Sequence, residues 1–326
     1  MIENMTILRR LIFLAGAAML VTLAAQNANG STLLLSLDVQ FMLLISGVFG
    51  VAWGLGDSDR AWRAMPLHGT SIVLLLITLL ALALRLWQLE TSVHYFVDEL
   101  NFVSGVLDIV HARQSGEILH LTHPFHWLAA FPRIFPYWQS WGTTIAGQTY
   151  TGLRLPSAVL GTLTIPAAYL LGKHLFDKRV GIIAALLLAT FPPHLHFSRL
   201  GLNNIADPLF GTLAIAFAAR GLKEGRRGDF AWAGAMLGMS QYFYEGGRLV
   251  YPVVLGLWLV FSPPRRVQQI EAETGSAPQR GKIAWSSIGT FMLTFALVAL
   301  SFYSVTITFN LGLTPRLDSK SLPPEY

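Results

Sequence analysis

The sequence predicts an all-α, polytopic membrane protein of about nine transmembrane helices, with a long outer loop that contains an amphipathic interfacial helix. Three observations carry this. Of the 326 residues 53% are hydrophobic and only 13% charged, and a mean hydropathy of +0.51 is too apolar for a water-soluble domain of this size. Apolar stretches of roughly 17 to 25 residues recur, the length a helix needs to cross a hydrocarbon core of about 30 Å. Lysine and arginine collect in alternate connections, as cytoplasmic loops do.

The first two spans fall at about 9–27 and 32–55, a third at 69–88, and after a long gap two more at 152–173 and 180–197. The remaining four read as 204–222, 229–244, 247–262 and 284–307. Segments 229–244 and 247–262 are short and joined by Glu245-Gly246-Gly247-Arg248, which predicts a tight helical hairpin or a partly re-entrant pair. Arg9-Arg10 before the apolar run 11–25 also fits a cleaved signal sequence. Cleavage would leave the later topology unchanged.

Fifteen of the 23 basic residues lie in one alternating set of connections, among them Arg9, Arg60, Lys173, Arg220, Arg227 and Arg265, which should face the cytoplasm. The net charge of +5 therefore reflects topogenic loops, and nucleic acid is not an expected partner. With no cysteine the chain has neither disulfides nor thiolate metal sites, which leaves the compartment open. Eight basic residues stand on or near the other side, including Arg85, Arg154, Arg199 and Arg248, and topology does not explain most of them.

The loop from about 89 to 151 faces the non-cytoplasmic side and exceeds what a connector needs. From Val97 to about Gln114, Leu100, Val103, Val106, Leu107 and Val110 recur at helical spacing opposite Glu99, Asp108 and Arg113, which predicts the interfacial helix. From His120 to Trp141 the loop turns aromatic and proline-rich, as a headgroup belt or the lining of a lipid-accessible groove would be. Segment 263–283 is polar, carries Pro263-Pro264, and reads as a flexible connector.

Asp98-Glu99 lies about ten residues past a span, where a carboxylate can reach a reaction at the membrane surface. Adjacent helical residues point about 100° apart, so both cannot address one atom equally. Asp98 is the preferred general base or substrate anchor, with Glu99 in support; a solvated helix N-terminus favoured by the dipole is the plain alternative. Arg154, Arg199 and Arg248 share the outer membrane level, where guanidinium forks suit phosphate but also snorkel to lipid. Asp207 before Pro208 reads as substrate contact or helix cap, and Glu245 as a partner for Arg248. Asp38, inside a span, has no evident partner. His120, His123 and His126 imitate a metal site at helical spacing, but Pro124 breaks the helix and no carboxylate lies among them, so hydrogen bonding is the preferred role.

From about 85 to 222 the order of these features resembles family 39 of the polyprenyl-phosphate-sugar glycosyltransferases, the protein O-mannosyltransferase and aminoarabinose-transferase relatives of the GT-C superfamily. The motifs are Arg85-Leu-Trp, Asp98-Glu99, His123-Pro124, Gly147, Arg154-Leu-Pro-Ser, Gly161 with Pro166, Gly172 to Phe176, Phe191-Pro192-Pro193, Phe197-Ser198-Arg199 and Asp207. The resemblance implies a sugar donor on a polyprenyl phosphate, an outer-face active site, Asp98 as the catalytic carboxylate with Glu99 secondary, and Arg199 and Arg154 on the phosphate side. It divides the chain into 1–68, two N-terminal helices and a cytoplasmic loop, and 69–326, a GT-C-like module with outer loop 89–151. Such relatives carry further spans and a C-terminal outer part, so the chain reads as a truncated or minimal version.

The expected function is a multi-pass glycosyltransferase of the cytoplasmic membrane that passes a sugar from polyprenyl phosphate to a lipid, glycan or protein acceptor on the non-cytoplasmic face. His123, Asp207, Glu245 and Arg248 join the arginines as expected substrate contacts. No cofactor is fixed, and a divalent metal stays open. The alternatives are a lipid or solute transporter and a non-catalytic, degenerate transferase scaffold; the concentration of acids and arginines at one membrane surface, rather than at the midplane of broken helices, favours the transferase.

Overall fold

The computed structural model describes residues 7–28, 35–56, 69–91, 96–126, 129–261 and 285–311. The connector expected at 263–283, the basic pair Arg60 and Arg63, Trp127 and the segment beyond 311 lie outside these residues. The chain is an all-α, polytopic membrane protein. Its helices are α1 (Ile7–Ala28), α2 (Leu37–Gly54), α3 (Gly69–Leu86), α4 (Val97–Ser115), α5 (Ile134–Ala146), α6 (Tyr150–Leu175), α7 (Lys178–Thr190), α8 (Pro192–Phe197), α9 (Ala206–Glu224), α10 (Arg227–Ser240), α11 (Glu245–Phe261) and α12 (Trp285–Thr308).

Among the described residues six helices are long and apolar enough to cross a membrane: α1, α2, α3, α6, α9 with the short 3₁₀ turn before it, and α12. Three of the nine expected spans take another form. The single span expected at 180–197 is broken at Phe191, where Pro192 and Pro193 start α8, because proline supplies no N–H to continue the ladder and is tolerated only in a first turn. Helix α10 has 14 residues. Helix α11 has 17 residues, and it begins at Glu245, so Glu245-Gly246-Gly247-Arg248 is its first turn rather than the expected hairpin turn.

Small residues set the core. In α10, Ala231, Ala233, Gly234, Ala235 and Gly238 are buried, and a Cβ on Gly238 would lie 2.7 Å from the Val298 Cβ of α12. Close backbone approach of this kind replaces the hydrophobic drive that lipid abolishes. Gly16 of α1 and Gly50 of α2 cross likewise, with 2.8 Å between the Cβ position of one and the Cα of the other. Helices α1 and α2 share one continuous hydrophobic core with α9, α10 and α12.

Basic side chains tie the helix ends at one pole. Arg9 Nη1 donates to Gly56 O at 2.5 Å, Arg227 Nε to Leu55 O at 3.2 Å and Arg220 Nε to Asp229 at 2.8 Å. The opposite pole carries the long loop. There, between α4 and α5, an unexpected antiparallel hairpin of β1 (Pro124–His126) and β2 (Ala129–Pro132) interrupts the aromatic stretch, with Pro124 opposite Pro132. Proline is tolerated at the edges of so short a pair.

Candidate active site at the loop pole

Helix α4 forms where the sequence predicts a helix, and Gly116 ends it at φ 76, a left-handed cap that glycine takes without penalty. The face it packs against the protein is not the apolar face expected to meet the membrane interface. Glu99, Phe102, Gly105, Val106, Ile109 and Ala112 are buried, whereas Leu100 and Leu107 are more than half exposed. Glu99, a charged residue, is thus buried at one edge of the inward stripe. A second apolar face, with Val103, Leu107 and Val110, walls a groove of about 450 Å³ against Thr149 and Tyr150.

The two members of the acidic pair have different surroundings. Glu99 is 1% exposed and accepts from Arg154 Nε and Nη2, both at 2.8 Å, from Gly201 N at 2.7 Å and from Phe96 N at 3.2 Å. Arg154, fully buried, also donates from Nη1 to Leu89 O at 3.0 Å and lies over the Tyr150 ring at 5.0 Å. A bidentate fork between buried ions is the geometry that best offsets their desolvation. The pair joins α4, α6 and the turn that follows α8, through Gly201, in one knot. Asp98 is half-buried and, among the described residues, accepts no hydrogen bond.

Arg199 is half-buried beside this knot and donates to the Trp87 carbonyl. Burial first, and the Arg154 charge second, lower its pKa from the ordinary arginine value. Glu90, a residue the sequence reading passed over, accepts from Thr151 N at 2.6 Å, Thr151 Oγ1 at 2.8 Å and Tyr150 N at 3.3 Å. It caps the N-terminus of α6 from outside the helix.

A second cluster lies at the start of α9 and α11. Asp207, buried, accepts from Gly247 N at 2.7 Å and Tyr244 N at 3.2 Å. A Cβ on Gly247 would meet that carboxylate at 2.7 Å, so the glycine is what lets the backbone N–H approach. Arg248, 4% exposed, donates from Nε to Gln241 O at 3.0 Å and stacks over Phe302 at 4.5 Å and Phe131 at 5.9 Å. Glu245 is buried in the same first turn. Phe131 connects the clusters, because it stacks with Phe102 of α4 at 6.5 Å and with Tyr244 at 5.9 Å.

His123 stands apart from both. Its Nε2 donates to Asn27 O at 2.5 Å, and its ring stacks on His120 at 4.4 Å. Burial, chiefly, holds both imidazole pKa values below the usual histidine value. Among the described residues no three histidine, aspartate or glutamate side chains gather to hold a metal. Asp38, without a partner in the sequence reading, has two: Tyr137 Oη donates to it at 2.7 Å and Arg113 Nη2 at 3.3 Å. The structure thus brings Glu99, Arg154 and Arg199 together, and Asp207, Glu245 and Arg248 together.

Residues 131–274, somewhat under half of the chain, match the family model described as dolichyl-phosphate-mannose-protein mannosyltransferase. That match is consistent with a GT-C glycosyltransferase-like protein; the motifs from Gly147 to Asp207 lie inside the matched segment, and Arg85, Asp98-Glu99 and His123-Pro124 lie outside it. No curated protein and no solved structure matches the chain.

Proposed function

We propose that the chain transfers a sugar from a polyprenyl phosphate to an acceptor at its loop pole, on the non-cytoplasmic face, with Asp98 as proton acceptor. The observation that carries this is the division within the acidic pair. Glu99 spends its oxygens on Arg154, Gly201 and Phe96, while Asp98 is half-buried and accepts from no described residue. By helical geometry Asp98 leads the stripe Phe102, Gly105, Ile109 and Ala112, which repeats every three or four residues. That stripe is buried and turned toward Phe131, the ring beneath Arg248.

The reaction that suits this arrangement is a single displacement. An acceptor hydroxyl or amine attacks the anomeric carbon and gives its proton to Asp98, the bond from that carbon to the phosphate oxygen breaks, and polyprenyl phosphate leaves with inversion at the sugar. Charge grows on the phosphate as it departs, and a guanidinium there lowers the barrier. Arg248 and Arg199 are the arginines best suited, since Arg154 is committed to Glu99. The apolar groove beside α4 offers a lipid-accessible wall near the same pole.

Replacing Asp98 with asparagine keeps size and polarity but removes the base. Loss of a positioned general base costs about 10²- to 10⁴-fold in rate. The expected result is that drop in sugar transfer from a polyprenyl-phosphate donor in D98N, with the fold intact, while D98E retains partial activity. Wild-type transfer by a folded D98N would sink the proposal.

A further inference from the structure

Asp38, which the proposed reaction does not use, lines the end of a second groove and pairs there with Arg113, which stands just outside the lining. Asp38 sits in the first turn of α2, and Arg113 in the last turn of α4. Their side chains are 56% and 36% exposed. An exposed ion pair of this kind contributes little to stability by itself. Yet both partners are fixed by neighbours. Tyr137 Oη donates to Asp38 Oδ1 at 2.7 Å, the same oxygen that Arg113 Nη2 reaches at 3.3 Å, and Arg113 Nη1 donates to Ser140 Oγ at 3.2 Å. The Arg113 guanidinium also lies over the Tyr137 ring at 5.7 Å. Asp38 Oδ2 and Arg113 Nε therefore remain without a partner among the described residues.

From Asp38 a groove of about 280 Å³ follows α2 toward the membrane interior, lined by Val39, Met42, Leu43 and Ser46 with Met19 of α1. Eight residues of helix between Asp38 and Ser46 give it a length of about 12 Å at 1.5 Å per residue. Methionine and branched aliphatic side chains on a lipid-facing surface suit a flexible hydrocarbon chain. The mouth presents an acceptor-only carboxylate oxygen, Asp38 Oδ2, beside one remaining guanidinium donor, Arg113 Nε, an arrangement that mirrors a zwitterion.

We propose that this groove is a site for a phosphatidylethanolamine molecule, one acyl chain along α2, the primary ammonium on Asp38 and the phosphate on Arg113. Charge complementarity selects that occupant. An anionic glycerophospholipid has no cationic donor for Asp38, at most a neutral hydroxyl, and its net charge is repelled by that carboxylate. A phosphatidylcholine has the same charges, but its quaternary nitrogen has no N–H to donate to the carboxylate. The site belongs to the junction of α1 and α2 with the loop helices α4 and α5, so a bound lipid would brace the loop pole against the N-terminal pair. It is independent of the transferase reading.

The test is native mass spectrometry of the full chain in detergent, titrated with dioleoyl-phosphatidylethanolamine, -phosphatidylcholine or -phosphatidylglycerol, reading the apparent Kd of the first lipid adduct. The expected result for the wild type is ethanolamine lipid at least about tenfold tighter than the other two, the worth of one charge-assisted hydrogen bond. D38N, whose amide oxygen still accepts from Tyr137, should bring phosphatidylethanolamine to within about twofold of phosphatidylcholine. S46W fills the groove without touching either charge, and should weaken both lipids by about tenfold while leaving their ratio unchanged. Equal retention of the ethanolamine and choline lipids by the wild type overturns the proposal, as does an undiminished ethanolamine preference in D38N or unaltered binding in S46W.

Discussion

Removing Arg154 is the perturbation that most directly probes how the loop pole is held. In R154M the Glu99 carboxylate loses two bonds of 2.8 Å and keeps only the neutral donors Gly201 N and Phe96 N. It stays 1% exposed in the native packing, so water cannot replace the guanidinium without opening the knot. Taking one partner from a buried pair costs about 3 to 5 kcal/mol. The two remaining donors put R154M toward the lower end, about 3 kcal/mol. E99Q instead leaves the buried guanidinium without a counter-charge, its fork facing one amide oxygen and one amide N–H₂ where two carboxylate oxygens stood. It should cost a similar amount. The double variant removes both charges and should cost less than the sum of the two, with a coupling of about 2 kcal/mol. Denaturant titration of the purified protein in detergent micelles, followed by tryptophan fluorescence, measures all three. A coupling below about 0.5 kcal/mol, the range of independent sites, would refute the claim that Glu99 and Arg154 act as one unit.

Two further predictions concern the neighbouring packing. His120 and His123 have pKa values held below the usual 6.5, mainly by burial, so the unfolded chain binds protons that the folded one refuses. Stability supplied by these neutral rings is complete above about pH 6.5 and is lost as the pH falls below it; unfolding titrations at pH 7.5 and 5.5 should show that loss, and H120Q/H123Q should flatten it. G247A places a Cβ against the Asp207 carboxylate, at 2.7 Å if nothing moves, and overpacking of this sort costs about 1 to 3 kcal/mol. A G247A protein with wild-type stability would mean that the Asp207 contact to the α11 backbone is dispensable.

Much of the fold was legible because lipid imposes it. Stretches near 20 residues mark the six long spans, and Arg9, Arg220 and Arg227 meet helix ends at one pole as their loop placement requires. Helix α4 was legible too, from periodicity between Val97 and Gln114. What the period could not tell was which of its two apolar faces is buried. Packing against Phe125 and Phe131 of the hairpin and Pro136 of α5 decides that, and periodicity does not signal the hairpin. Arg154 was read correctly as sitting at the loop pole, but its partner lies 55 residues away. Pairing at that range comes from the assembled fold. The same holds for Asp38 with Arg113 and for Glu90 at the head of α6, whose roles depend on helices that are distant in sequence. Phe191-Pro192-Pro193 is the opposite case, since the break between α7 and α8 was written in the prolines but was absorbed into a hydrophobic average over 180–197.

The sharpest constraint on mechanism comes from two adjacent carboxylates that helical geometry forces to part. Residues 98 and 99 diverge by about 100° on α4, so a helix that points Glu99 at Arg154 necessarily aims Asp98 elsewhere. That direction is the stripe of Phe102 and Ile109, not the groove of Val103 and Val110. A lipid chain in the groove and a proton acceptor at Asp98 would then stand on different flanks of one helix, with the Glu99 knot between them. Rotating α4 by even one residue's angle would bury Asp98 and expose Glu99. The bidentate contact to Arg154 resists that rotation, because both of its bonds depend on the azimuth of α4. If the proposed reaction is right, R154K, which keeps the charge but loses the fork, should lower kcat while largely sparing stability, and the D98N background should abolish that effect. An R154K defect of equal size in both backgrounds would show that Arg154 acts on substrate itself and not through the orientation of Asp98.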